Sequence, residues 1–226
     1  MILKKRTFLC IALLSAAFGL RAQTAQQWRD SLSAINKQIA SSAYSLDLHL
    51  RKAAINIELQ QWEYAINEYN DVLAKYPRNL TALYFRAFAN SQLLRYRQSC
   101  DDYKAIIRLV PLNFEARMGL SYVLQKMNKP KESLNELNQL VELFPDSIAA
   151  YVSRAALEKD MKLYDLALFD WEEAIRRNPN DANYLISKVD ILLLMKRKSE
   201  AFALLRRMEE MGVSRAALKE WLDRCK

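Results

Sequence analysis

Apolar residues in this chain recur at three- and four-residue spacing, which gathers them on one side of an α-helix. Trp28, Leu32, Ile35 and Ile39 form one such stripe, and Leu218, Trp221, Leu222 and Cys225 form another. Runs of alternating Val, Ile and Thr bounded by Asn-Gly or Asp-Gly turns are missing, so the pattern predicts helices and no sheet. Between the two stripes, Pro77, Pro111, Pro145 and Pro179 stand 34 residues apart. Proline cannot continue a helix, so each marks an end, and a fixed period of this length signals a repeat architecture.

Numbered from Leu46, Leu80, Phe114, Ile148 and Ala182, five 34-residue units align in columns. Place 8 holds Ala53, Ala87, Ser121, Ala155 and Val189, and place 20 holds Ala65, Ser99, Ser133, Ala167 and Ala201. Small side chains there allow the two helices of a unit to approach closely. Place 24 holds Tyr69, Tyr103, Leu137, Trp171 and Leu205, and place 27 holds Val72, Ile106, Leu140, Ala174 and Met208. Place 14 is Leu or Met throughout, and place 17 holds Trp62, Tyr96, Pro130, Tyr164 and Lys198.

Small residues at 8 and 20, aromatics at 17 and 24 and proline at 32 resemble the tetratricopeptide repeat family, from Leu46 to Arg215. The resemblance implies an all-α fold: a right-handed superhelix, or α-solenoid, of helix–turn–helix repeats with a capping helix at each end. The repeats run 46–79, 80–113, 114–147, 148–181 and 182–215, flanked by caps at 23–45 and 216–226. Two units depart from the pattern. The first has Lys52 and Asn56 where the family has Leu and an aromatic, and the fifth has Val213 in place of the proline. Extended backward, the numbering puts Trp28 at place 17, so 23–45 reads as the second half of an incomplete unit. Ser214 is positioned to cap the last helix.

The first 22 residues read differently. Lys4, Lys5 and Arg6 precede an apolar run from Phe8 to Phe18, and small residues follow up to Ala22. That is the layout of a secretory signal peptide, and the run is too short to span a bilayer. Cleavage after Ala22 leaves an Ala-Gln junction resembling those of exported Bacteroides-group proteins. The expected product is periplasmic or secreted. Lys4, Lys5, Arg6 and Arg21 leave with the leader, which takes 34 basic residues to 30 against 26 acidic ones, a net charge of +4. No dense basic stripe remains, which argues against a nucleic-acid partner. Cys100 and Cys225 are the cysteines left, and helices stacked at 8–10 Å put them roughly 30 Å apart, too far for a disulfide.

Catalytic patterns are weak. His49 is the lone histidine, so metal or triad chemistry would depend on one ring, and a structural role at place 4 fits it better. Three glycines leave no room for a phosphate-binding loop. No cofactor or metal site is expected, and the chain reads as non-catalytic. Place 7 is basic in four units (Lys52, Arg86, Arg154, Lys188) and place 23 acidic in four (Glu68, Asp102, Glu136, Asp170). These columns predict ion pairs between the two helices of a unit, such as Arg86 with Asp102 and Arg154 with Asp170.

The family resemblance implies a concave groove lined by places 2, 5, 9, 12 and 13 of the first helices. Its centre would be Tyr84, Phe88 and Gln92 with Met118, Tyr122 and Lys126. In the first unit the same places hold Asp47, Leu50, Ala54, Ile57 and Glu58. Family members that clamp a terminal carboxylate use Lys and Asn at places 5 and 9, where this chain has Leu50 and Ala54, so that subtype is not supported. The expected function is a protein-binding scaffold of the cell envelope that holds a partner segment in the groove. The alternatives are a self-assembling structural protein, acting as a homo-oligomer, and an accessory subunit of an envelope enzyme complex.

Overall fold

A computed structural model describes residues 25–42 and 44–226. The leader predicted at 1–22 lies outside the described residues. The described residues are all-helical, with twelve helices and no strand. They form two compact bodies, one through Leu93 and the other from Leu94 to Lys226.

The first body holds α1 (Ala25–Ser41), α2 (Leu46–Glu58), α3 (Trp62–Lys75) and α4 (Leu80–Gln92). The second holds α5 (Tyr96–Leu109), α6 (Phe114–Lys126), α7 (Pro130–Leu143), α8 (Ile148–Asp160), α9 (Tyr164–Arg177), α10 (Ala182–Leu194), α11 (Lys198–Glu210) and α12 (Lys219–Cys225). In each body, helices consecutive in sequence pack against one another. The odd-numbered α3 to α11 are the second helices of the five units, and the even-numbered α2 to α10 are the first.

Each first helix starts on the same device. Ser45, Asn79, Asn113, Ser147 and Asp181 precede α2, α4, α6, α8 and α10, each extended, with a side-chain oxygen accepting a hydrogen bond from an N–H of the first turn. Such a cap contributes about 1 kcal/mol. The five stand 34 residues apart and form a column as regular as the prolines.

The turn between the two helices of a unit is also shared. Gln60, Leu94, Asn128, Lys162 and Lys196, all at place 15, have φ between 56° and 62°. In the first unit Gln61 N–H reaches back to Asn56 O at 2.8 Å and Gln60 N–H to Ile57 O at 2.9 Å, and the turns after α6, α8 and α10 repeat this. These paired bonds make a Schellman closure, which normally takes glycine at the left-handed residue. None of the five is glycine, so each carries left-handed strain of about 1 kcal/mol.

Second helices end at the prolines. Tyr76, Val110, Phe144 and Asn178 have φ from −128° to −137°, because the proline ring excludes the helical region for the residue before it. The fifth unit has no such proline. There Gly212, at φ 90°, closes α11 with Val213 N–H on Met208 O at 3.0 Å.

The columns place the core. All ten residues at places 8 and 20 are buried, as are the five at place 24 and the five at place 27. Where both small residues are serine, Ser133 Oγ donates to Ser121 O at 2.8 Å and ties α7 to α6. Gly119 on α6 is a further close approach: a Cβ there would stand 2.4 Å from Cζ of Tyr103. The ring of Tyr103 therefore lies flat on the backbone of α6.

The terminal helices cover apolar faces. On α1, Ile35 is buried and Trp28, Leu32 and Ile39 are half-buried, and the helix packs on α2. At the other end, Leu218 and Leu222 join the core of Leu205 and Met208. Regular helix begins at Lys219 rather than at 216, because Ser214 Oγ accepts from Ala217 N–H in a separate turn. Cys100 and Cys225 are both free thiols. Among the described residues no helix is long and apolar enough to cross a membrane.

Candidate functional site

Each residue predicted to line the groove belongs to a first helix. In the first body, Tyr84, Phe88 and Gln92 follow one another along α4 at four-residue spacing. Tyr84 is half-buried and edge-on to Phe85, with ring centres 5.3 Å apart. Phe88 is half-buried and edge-on to Trp62 at 5.9 Å, and Gln92 is exposed. Both rings are thus partly packed on their own body. Place 12 does not face outward there. Ile57 and Ser91 are buried, and Ser91 Oγ donates to Phe88 O at 2.6 Å.

In the second body, Met118, Tyr122 and Lys126 lie along α6 at the same spacing. Met118 packs, as Phe114 and Phe144 do, against the buried cluster of Leu137, Leu140, Ala150 and Leu157. Tyr122 is 43 % exposed, and Nζ of Lys126 stands 5.3 Å from its ring centre. A half-exposed ring with a cation over one face offers apolar and polar contact together, the composition of an interface anchor. On α10, Asp190 at place 9 is already taken: Trp221 Nε1 donates to its carboxylate at 2.9 Å and Arg224 at 3.0 Å. The last helix therefore occupies that part of the surface.

The charged columns are structural. Arg154 holds Asp170 with two hydrogen bonds of 2.7 Å, and Lys52 meets Glu68 at 2.6 Å. In the third and fifth units one member of the columns is missing, and the partner changes. Place 7 of the third unit is Leu120, so Glu136 takes Arg117 from place 4, at 2.7 Å. The fifth unit has Leu204 at place 23, so Lys188 turns to Glu172 at 2.7 Å. A second use of place 7 was not anticipated. Arg86, Arg154 and Lys188 each reach place 25 of the preceding unit, at Asn70, Asn138 and Glu172. These bonds join neighbouring repeats.

His49 is stacked on Tyr44 with ring centres 4.4 Å apart, and its Nδ1 meets Glu68 Oε2 at 2.8 Å. His49, Glu68 and Asp71 bring ligand atoms within 4.8 Å of one another, the one such group among the described residues. Glu68 already has Lys52, and Nζ of Lys75 sits 3.4 Å from the Tyr44 ring centre. The Lys52 ammonium meets Glu68 where a metal would have to bind, so the cluster reads as an ion-paired packing site. It holds the linker ahead of α2 to the first repeat.

Sequence reasoning missed a set of exposed apolar side chains on the second helices. Leu166 and Phe169 on α9 are 54 % and 56 % exposed, and Phe202 on α11 and Tyr64 on α3 are exposed too. They sit at places 19, 21 and 22, beside the buried stripe of 20, 24 and 27. An apolar residue outside that stripe was the available signal.

Residues 47–79 and 115–147 match the tetratricopeptide repeat family model, which are the first and third of the five units. No curated protein sequence matches the chain. Solved structures share its fold. A tetratricopeptide repeat protein from Parabacteroides merdae ATCC 43184 is 24 % identical, with 88 % of this chain and 78 % of that one covered and a TM-score of 0.61. MamA from Desulfovibrio magneticus RS-1 is 17 % identical, with 75 % and 97 % covered and a TM-score of 0.65. YrrB, described as a TPR protein with an unusual peptide-binding site, is 19 % identical, with 79 % and 92 % covered and a TM-score of 0.63. The fold is that of a tetratricopeptide α-solenoid, and the family that matches is a repeat family rather than an enzyme's.

Proposed function

We propose that the chain is an exported, non-catalytic scaffold of the bacterial cell envelope that holds a segment of a partner protein against the first helices of its repeats. One contrast in the second body carries this reading. Every place-24 side chain is buried between helices, whereas Tyr122 keeps 43 % of its surface open beside Lys126. A large ring left half open on a rigid helix has contact area to offer at little entropic cost. The peptide-binding site of YrrB, on a similar fold, supports the same use here. Export rests on the leader-like pattern of residues 1–22, with a periplasmic or secreted destination.

The test pairs Tyr84→Ala with Tyr122→Ala in the chain from Gln23 onward. The double variant should lose capture of the partner by roughly 30-fold or more while its melting temperature barely moves. Unfolding of the variant would assign both rings to the core and overturn the reading. Self-assembly is the second reading, favoured by the exposed Leu166 and Phe169. Light scattering separates the two: the scaffold reading expects a monomer, the other a defined oligomer.

A further inference from the structure

The fourth repeat encloses two carboxyl groups and one guanidinium. Glu158 on α8 is 4 % exposed and Asp170 on α9 is 1 % exposed. Arg154 spends Nε and Nη2 on Asp170 and Nη1 on Asn138 of α7. It approaches Glu158 Oε1 no closer than 3.9 Å, so it gives Glu158 no hydrogen bond. Glu158 instead stands beside Asp170 at the same guanidinium, and its Oε2 is buried with no partner.

The charges around Glu158 do not balance. From its own helix comes Arg154, from α9 Asp170, and from α7 the uncharged amide of Asn138. Arg177 of α9 is held by Glu173 and by the face of Tyr151. One cation thus serves two buried carboxyls at a single guanidinium, and two carboxylates held that close repel unless one takes a proton. The feature is particular to this repeat, because the other units carry Asn56, Asn90, Leu124 and Leu192 at the same place.

We propose that Glu158 is a proton switch built into the fourth repeat: protonated, it donates to Asp170 and closes the α8–α9 hairpin, and ionised, it loosens that hairpin. Burial, first, and then the Asp170 charge push the Glu158 carboxyl up to about 7. The folded state therefore favours the proton. Its advantage is present below the ordinary glutamate range and is lost as pH rises through about 7.

Hydrogen exchange at pH 5.5 and 8.5, corrected for intrinsic rates, tests the switch in the chain from Gln23 onward. Glu158→Gln keeps a donor toward Asp170 and removes the titration. Relative to this variant, peptides from 148–177 of the native chain should lose protection by about tenfold or more between the two pH values. Glu158→Leu, with the side chain that the third and fifth repeats carry there, should be as insensitive to pH as Glu158→Gln. A native-to-variant ratio that stays constant with pH for both variants would overturn the proposal.

Discussion

Gly119→Ala sets helix propensity against packing in a way that the structure decides. Gly119 is inside α6, where alanine is normally better than glycine by about 0.5–1 kcal/mol. The added Cβ, however, would meet Cζ, Cε1 and Cε2 of Tyr103 at 2.4, 2.6 and 2.8 Å. Those atoms are the hydroxyl-bearing end of a rigid ring, and the ring is buried, so it has no room to swing aside. Relieving the clash means moving α5 away from α6 by several tenths of an ångström or more, and overpacking of this kind costs about 1–3 kcal/mol. Packing wins, and the variant should be less stable by about 1–2 kcal/mol in urea or guanidinium unfolding followed by circular dichroism. A cycle isolates the cause. In a Tyr103→Leu background the ring is gone, and Gly119→Ala should stabilise by up to about 1 kcal/mol. A rise in midpoint for Gly119→Ala in the native background would refute the close approach.

Three further outcomes follow from local geometry. Lys162→Gly at φ 62° should raise stability by about 0.5–1 kcal/mol, since relief of left-handed strain outweighs the extra freedom of the unfolded glycine; a lower midpoint would contradict it. Asp181→Ala removes the oxygen that accepts from Asn183 and Tyr184 N–H and should cost about 1 kcal/mol by the same unfolding measurement. Both cysteines should titrate with a thiol reagent after unfolding without reductant, and in the folded protein Cys225 should react well before Cys100, whose thiol burial pushes up.

The repeat was legible because its strongest signals are periodic and chemically blunt. Proline at place 32, small residues at 8 and 20 and large ones at 24 can be read from composition alone, and the structure buries each of the last three columns. The capping column was equally periodic but is spread over Ser, Asn and Asp, so it shows only when the shared physical role is considered. The left-handed residues at place 15 were not legible, since Gln60, Leu94, Asn128, Lys162 and Lys196 give no hint of the glycine-like backbone they adopt. Ion pairs were partly legible. Arg154 meets Asp170 as the columns require, but a column cannot say where a side chain turns when its partner is missing, as with Lys188 and Arg117. The proposed binding face was the least legible. Its places come from a pattern, while the exposure of each residue depends on what the neighbouring helices leave open. Ile57 is buried and Tyr122 is not, for that reason.

The claim that the first helices carry the binding face can be tested by placing a photo-crosslinking phenylalanine analogue at one of two positions, 122 on α6 or 169 on α9, in cells producing the full chain. Both positions are aromatic and exposed, one on a first helix and one on a second helix, and position 169 is the more open of the two. Binding through the first helices predicts a discrete adduct with a second protein from position 122 and none from position 169. An adduct from position 169 alone, or a dimer of this chain from either position, would contradict it.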